Sequence, residues 1–351
     1  MIRLSELIQP VGKKSGRGAI TLFVLGLAVA AVATWWLRTQ GSASAGFVLI
    51  CGPDTVPPPE FPNVLTTFAM EPIPLYLLIA ASVGYMALFA KVRRSGYARL
   101  FPRRRAVSFL AGAAVTGLTV FGPFMAYDHT FLSVHMVQHF ILITIAPPLL
   151  LAGGPLTLVL VSVSRRVRRE WFYPVLHSRA FHAFTFPVVG LVLFGLIPTA
   201  YYVTPLFEAS LENDLIHYTG FGVFLFAGIH YWWPIIPMNP TRWHLPFAAQ
   251  LVYLLALVPI HAFLGLLFYE PSQILYPALA EAPRVWGWDP LFDQQVAGAF
   301  MFIAGEALGL AALMMVAFRW MKHEEAAGRR IDRELAKKRA AQAATTTTTK
   351  G

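Results

Sequence analysis

Cysteine is almost missing from this chain: Cys51 is the only one in 351 residues. A lone thiol excludes an internal disulfide and any Cys-x-x-Cys metal or redox motif. It leaves Cys51 as a bystander or, at most, an auxiliary ligand for a soft metal. Acidic residues are scarce too, 18 against 28 Lys and Arg, and all charged residues together make up only 13% of the chain. There is no glycine-rich phosphate loop and no nucleophile–base pair, which argues against an enzyme. The chain is instead 56% hydrophobic, with a mean hydropathy of +0.57. That composition excludes an ordinary water-soluble domain and places the protein in the membrane class.

The net charge of +10 could imply a nucleic-acid partner, but the cations lie between apolar runs. Taking runs of about 20 residues as spans, the sequence predicts eight helices at 19–37, 72–91, 107–127, 134–153, 183–203, 217–237, 246–268 and 295–318. The linker "KVRRSGYARLFPRRR" holds seven cations and "SRRVRRE" four. The positive-inside rule puts both in the cytoplasm, and an even helix count then puts both termini there. The opposite loops carry most of the acids, with Arg284 their only clear cation. Basic character therefore reports orientation, and no nucleic-acid partner is expected. The fold class is an all-α polytopic bundle. A secretory signal competes for the first run, because "SASAG" resembles a cleavage site, but about 19 apolar residues exceed a signal core.

Three regions follow. Residues 1–59 hold a cytoplasmic N-terminus, the first helix and a proline-rich outer loop. Residues 60–320 form one membrane domain, and 321–351 a charged cytoplasmic tail. Pairs such as Glu334 with Lys338 favour helix at the start of that tail, whereas "AAQAATTTTTKG" reads as disordered.

Within the membrane domain the stretch "HMVQHFILITIAPPLLLAGGP" opens with His135 and His139 one helical turn apart on one face. Pro147 and Pro148, followed by Gly153-Gly154-Pro155, predict a break or kink after about three turns, and with it room for polar side chains. Depth at 1.5 Å per residue brings Asp128, His129, His135 and His139 to the outer rim, with Asp214 and His217 at the same mouth. His261 lies at a depth close to that of His139. Asp293, Gln294 and Gln295 reach the mouth from the last span, Met301 sits about two turns down, and Glu306 is near mid-membrane. His230 lies too deep to join them and reads as a packing residue.

Imidazole is the commonest protein metal ligand. His135, His139, His217 and His261, with Met301 or Met136, would suit transferable Cu(I) in the absence of cysteine, with zinc left open. Asp128, Asp214 and Asp293 would attract a cation and orient ring N–H groups, with His129 beside them. Haem ligation through His139 and His261, helix packing, and proton handling with Glu306 as the mid-membrane group are the competing readings.

The segment "FLSVHMVQHFILITIAPPLLLAGGPLTL" resembles the signature of the CtaG-type cytochrome c oxidase assembly factors. "HYTGFGVFLFAGIHYWWPII", "LGLLFYEPSQILYP" and "WGWDPLFDQQVAGAFMF" agree in order and spacing, so the resemblance covers about residues 60–320. It implies a seven-helix protein of the bacterial plasma membrane that serves assembly of a haem–copper oxidase and handles copper for its metal centres. Oxidase subunits and the lipid bilayer are the implied partners, with an extracytoplasmic copper donor possible. His135, Met136, Gln138, His139, Pro147, Pro148, His217, Asp293, Gln294 and Gln295 fall on the family pattern. The first helix is additional, and Glu306 has no match there. A scaffold that clamps oxidase subunits without any cofactor is a further alternative.

Overall fold

The computed structural model describes residues 58–61, 63, 67, 69, 70, 72–243, 245–281 and 288–348. The expected first helix, Cys51, Glu71, His244, Arg284 and Trp286 lie outside the described residues. Among the described residues the regular structure is helical apart from one antiparallel ladder of two-residue strands, in which β1 (Ala69–Met70) pairs with β2 (Phe121–Gly122).

The first two described helices form a hairpin, α1 (Pro72–Val92) and α2 (Arg103–Val120). The buried positions of α2, Ala106, Phe109, Gly112, Ala113, Thr116, Thr119 and Val120, recur every three or four residues. They form one face, as a helix packed on one side requires. The run expected as a single helix over 107–127 is divided. Gly122 takes φ 116° and pairs in the ladder, and Pro123 starts a separate short helix, Pro123–Tyr127. Only glycine accepts that backbone angle readily, and proline is suited to a first helical turn. This division swings Asp128 and His129 out of line with α2.

α3 (Leu132–Phe140) continues through a π-helical turn, Ile141–Ile145, into α4 (Ala146–Ala152). The two prolines do not break the helix. Ile145 and Ala146 keep helical backbone angles, and the wider turn sits immediately before Pro147 and Pro148. A proline withholds the N–H that would bond four residues back, and a π turn absorbs the mismatch. Pro147 leaves the Ile143 carbonyl without its usual helical donor. The backbone of Gly228 approaches that carbonyl and the Pro147 ring so closely that no side chain could stand there. The real break comes at Gly154, with φ 66°, before the helix Pro155–Ser162.

α5 (Pro187–Val203) carries Pro198 within it and bends by 67° into α6 (Leu206–Glu212). α7 (Asp214–Trp232) is capped by Asn213, whose Oδ1 accepts from Leu215 N at 2.9 Å and Ile216 N at 3.3 Å. α8 (Phe247–Leu255) and α9 (Leu257–Tyr269) nearly form one rod, interrupted at Ala256. α10 (Pro290–Thr348) is capped by Asp289, which accepts from Leu291 N at 3.0 Å. It runs unbroken for 59 residues, through the alanine–threonine segment expected to be disordered. α9 and α10 touch backbone to backbone. A Cβ on Gly298 would lie 2.6 Å from the Gly265 carbonyl oxygen, the small-residue contact by which membrane helices approach one another.

Among the described residues four helices are long and apolar enough to cross a membrane: 73–97, 132–162, 247–269 and 290–338. The bent pair α5–α6 makes a fifth if it counts as one span. The main core gathers aromatic and aliphatic side chains from α3, α5, α7, α9 and α10. The polar groups considered next are enclosed within it.

Candidate metal centre

Four segments meet at the start of α3. The turn after Tyr127 presents Asp128 and His129, and is closed by Thr130 N and Phe131 N donating to the Tyr127 carbonyl at 3.0 and 2.9 Å. α3 presents His135 and His139, α7 presents His217, and α5 presents Tyr202. Asp128, His135 and His217 have no exposed surface, and His139 is 1% exposed.

The donor atoms of Asp128, His129 and His217 all lie within 4.8 Å of one another. His129 Nδ1 is 2.8 Å from Asp128 Oδ1, and His217 Nε2 is 3.6 Å from Asp128 Oδ2. The imidazoles continue inward as a row, with ring centroids 4.9 Å apart for His129 and His217, 5.7 Å for His217 and His135, and 4.1 Å for His135 and His139. A short hydrogen bond joins His139 Nδ1 to the Tyr202 hydroxyl. Tyr202 in turn accepts at its carbonyl from the Tyr276 hydroxyl, 2.8 Å away. Burial raises the pKa of Tyr276, which sits in the connection after α9, so it stays a protonated donor.

Among the described residues, both nitrogens of His135, Nε2 of His139 and Oδ2 of Asp128 are buried with no hydrogen-bond partner. Each such atom costs about 1–3 kcal/mol if it stays unsatisfied, and native interiors hold few of them. A neutral imidazole has one lone pair, so His135 can offer one of its two nitrogens, and with His139 Nε2 and Asp128 Oδ2 that makes three atoms able to face a cation. The outer hydrogen bonds suit that use. An Nδ1–H donated by His129 to Asp128, or by His139 to the Tyr202 oxygen, leaves the Nε2 lone pair facing away and able to bind a metal.

The other sequence-predicted residues fall in several places. Asp293 caps α3: its Oδ2 accepts from Leu132 N at 2.7 Å, and its Oδ1 accepts from the Ser133 hydroxyl. Gln138 Nε2 donates to the Thr119 carbonyl at 2.9 Å and so ties α3 to α2. Gln294 closes the connection between α9 and α10, accepting from Leu275 N at 2.8 Å and donating to the Phe268 and Gln273 carbonyls at 3.3 Å. Gln295 is half-buried one residue further along, and Asp214 is exposed in the first turn of α7. Met136 is fully buried among core side chains. His261 and Met301 line a separate small cavity with His139. Glu306 is half-buried on α10, with one buried carboxylate oxygen that has no partner among the described residues. His230 packs between Phe184 and Phe226, with ring centroids at 4.6 and 5.9 Å.

Sequence reasoning had Asp128 attract a cation and orient rings, with His129 beside it and neither taken as a ligand, whereas the structure sets their potential ligand atoms beside those of His217. It passed over Tyr202 altogether, since a tyrosine in an apolar run carries no signal until its partner is known.

The family description "Cytochrome c oxidase caa3 assembly factor (Caa3_CtaG)" matches residues 83–323. The chain belongs to this family. All the residues described above as the candidate centre lie within the matched part of the chain. It is 29% identical over 283 residues to uncharacterized proteins of Mycobacterium bovis and Mycobacterium tuberculosis, and 28% identical to one of Mycobacterium leprae. These matches cover 79% of the chain but only 42–43% of the relatives, so the chain spans less than half the length of the curated relatives it matches. No solved structure matches it.

Proposed function

We propose that this assembly factor holds copper as cargo at the outer side of the membrane and passes it to a cytochrome c oxidase subunit, without catalysing a reaction itself. The observation that carries the reading is the convergence of Asp128, His129 and His217 beside the His135–His139 pair, with buried donor atoms left unsatisfied. Imidazole with one carboxylate suits copper or zinc, and the family's oxidase partner favours copper. Eight spans with both termini cytoplasmic, in a bacterial plasma membrane, are the topology supported by the cation-rich loops. An extracytoplasmic copper donor would then load the site from that outer side through His129, which is only half-buried.

Delivery requires a site that holds an ion without caging it. His135 and His139 share one helical face, so an ion held by one is within reach of the other. Release then proceeds by exchanging one imidazole at a time, and the receiving subunit supplies the next ligand. Asp128 offsets the positive charge and, with Tyr202, orients the rings. A haem held between His139 and His261 is disfavoured by the space between them, a cavity of about 10 Å3, which has room for one water and none for a macrocycle.

Copper content of purified protein, measured beside oxidase maturation in the same cells, tests the proposal. His139→Ala is expected to lose bound copper and oxidase maturation at nearly unchanged protein level, and His230→Ala to lose neither. A His139→Ala protein that keeps its copper and still matures the oxidase would refute the site and leave these histidines as packing groups.

A further inference from the structure

The small cavity inward of the imidazole row has a composition of its own. It is enclosed by α3, α5, α7, α9 and α10, and its polar lining comes from His139, His261, Met301 and Tyr202. The remaining wall is apolar, with Phe194, Phe224 and Ile260 among it. Helix irregularities make the space: Ile143 on the π turn and Pro198 within α5 both border it. Such interruptions push neighbouring backbones apart.

α10 is fitted to this place. Gly305 lies directly against the His261 ring, where any Cβ would collide with imidazole atoms. Met301 is one helical turn before Gly305 on the same face, so the close approach at Gly305 carries the Met301 thioether to the cavity wall. Met301 is 4% exposed and His261 1%. No carboxylate lines the cavity, in contrast to the outer cluster with Asp128.

The difference in donors sorts ions. A divalent cation moved into an apolar chamber lined by neutral groups would carry uncompensated charge, at a large desolvation cost. A soft monovalent d10 cation carries half that charge, is satisfied by few ligands and prefers thioether and imidazole. The outer cluster, with a carboxylate and imidazoles, can hold an ion of either charge, because imidazole binds Cu(I) and Asp128 offsets a second positive charge.

We infer that the cavity bounded by His139, His261 and Met301 is a second, inner site for a soft monovalent cation, Cu(I) with Ag(I) as its surrogate, distinct from the Asp128–His129–His217 cluster and reached from it along the row of imidazoles. The inference deepens the copper reading and rests on it for the identity of the natural ion. His139 belongs to both places, since its ring lies 4.1 Å from that of His135 and also lines the cavity.

The test loads detergent-purified full-length protein with Cu(I) under anaerobic conditions, and with Ag(I) in parallel. Bound metal per chain and the sulfur contribution to copper X-ray absorption are then read out. Wild type is expected to hold about two ions, one of them with a sulfur neighbour. Met301→Leu, close in volume, should hold one fewer, lose the sulfur contribution and weaken Ag(I) retention at least tenfold. The pair Asp128→Asn with His129→Ala should lose the other ion and keep the sulfur contribution. Wild-type copper bound with nitrogen and oxygen neighbours alone overturns the inner site and leaves the proposed function standing, and does so without any variant. An unchanged stoichiometry and sulfur contribution in Met301→Leu overturns it as well. A wild-type protein that binds no copper at all overturns both.

Discussion

Replacing Asp293 tests how the histidine-bearing helix is held. Phe131, just before α3, provides no side-chain cap. The carboxylate of Asp293 supplies it from 161 residues away, accepting the Leu132 N–H at 2.7 Å and the Ser133 hydroxyl. Loss of a capping side chain costs about 0.5–2 kcal/mol, and a buried N–H left without an acceptor about 1–3 kcal/mol. The two figures describe overlapping losses, so Asp293→Ala is expected to destabilise the protein by about 2–3 kcal/mol. Asparagine keeps one acceptor oxygen and caps nearly as well as aspartate, so Asp293→Asn should cost about 1 kcal/mol or less. The assay is thermal unfolding of metal-free protein in detergent, followed by copper retention at a temperature where all variants are folded. Stability should fall in the order Asp, Asn, Ala, and copper retention should follow it, because a displaced α3 start moves His135 and His139. If Asn and Ala behave alike, Asp293 acts through its charge and the capping argument is wrong. If neither variant loses stability, the link between α3 and α10 carries no weight.

Gly228→Ala should sharply lower the amount of folded protein in the membrane, since the added methyl meets the Ile143 carbonyl and the Pro147 ring. Overpacking typically costs about 1–3 kcal/mol, and backbone has little room to yield; normal abundance and stability would refute the close contact. Pro147→Ala with Pro148→Ala restores two N–H donors and should convert the π turn to regular helix. The cavity bordered by Ile143 would narrow and oxidase maturation would fall at normal protein level, whereas full maturation would show that the prolines are only tolerated.

The apolar run of α1 could be read to within a residue, and the run expected over 246–268 matches the outer ends of α8 and α9, but its interruption at Ala256 was not foreseen and α7 begins and ends several residues earlier than expected. The break at Gly122 could not be read, since it depends on a ladder partner at Ala69 that lies 53 residues earlier. The pairing of His135 with His139 was legible from helical spacing alone. The approach of Asp128 and His129 to His217 was not, because it requires the turn after Gly122 to meet the fourth residue of α7. The effect of Pro147 and Pro148 was half legible. Proline chemistry demands an adjustment, but whether the helix breaks or widens is decided by how close α7 comes, and that is set by Gly228. The carboxylate of Asp293 was placed at the right mouth, yet its role as a cap appears only once the start of α10 lies against the start of α3.

The 59 residues of α10 span about 90 Å at 1.5 Å per residue, and a hydrocarbon layer takes about 30 Å of that. Beyond the span expected to end at 318, residues 319–348 continue as the same helix for about 45 Å. A load applied to its charged far end, by a binding partner or a tightening surface, would be felt as torque at Asp293. In that way the start of α3 would be tied, through Asp293, to whatever engages the far end of α10.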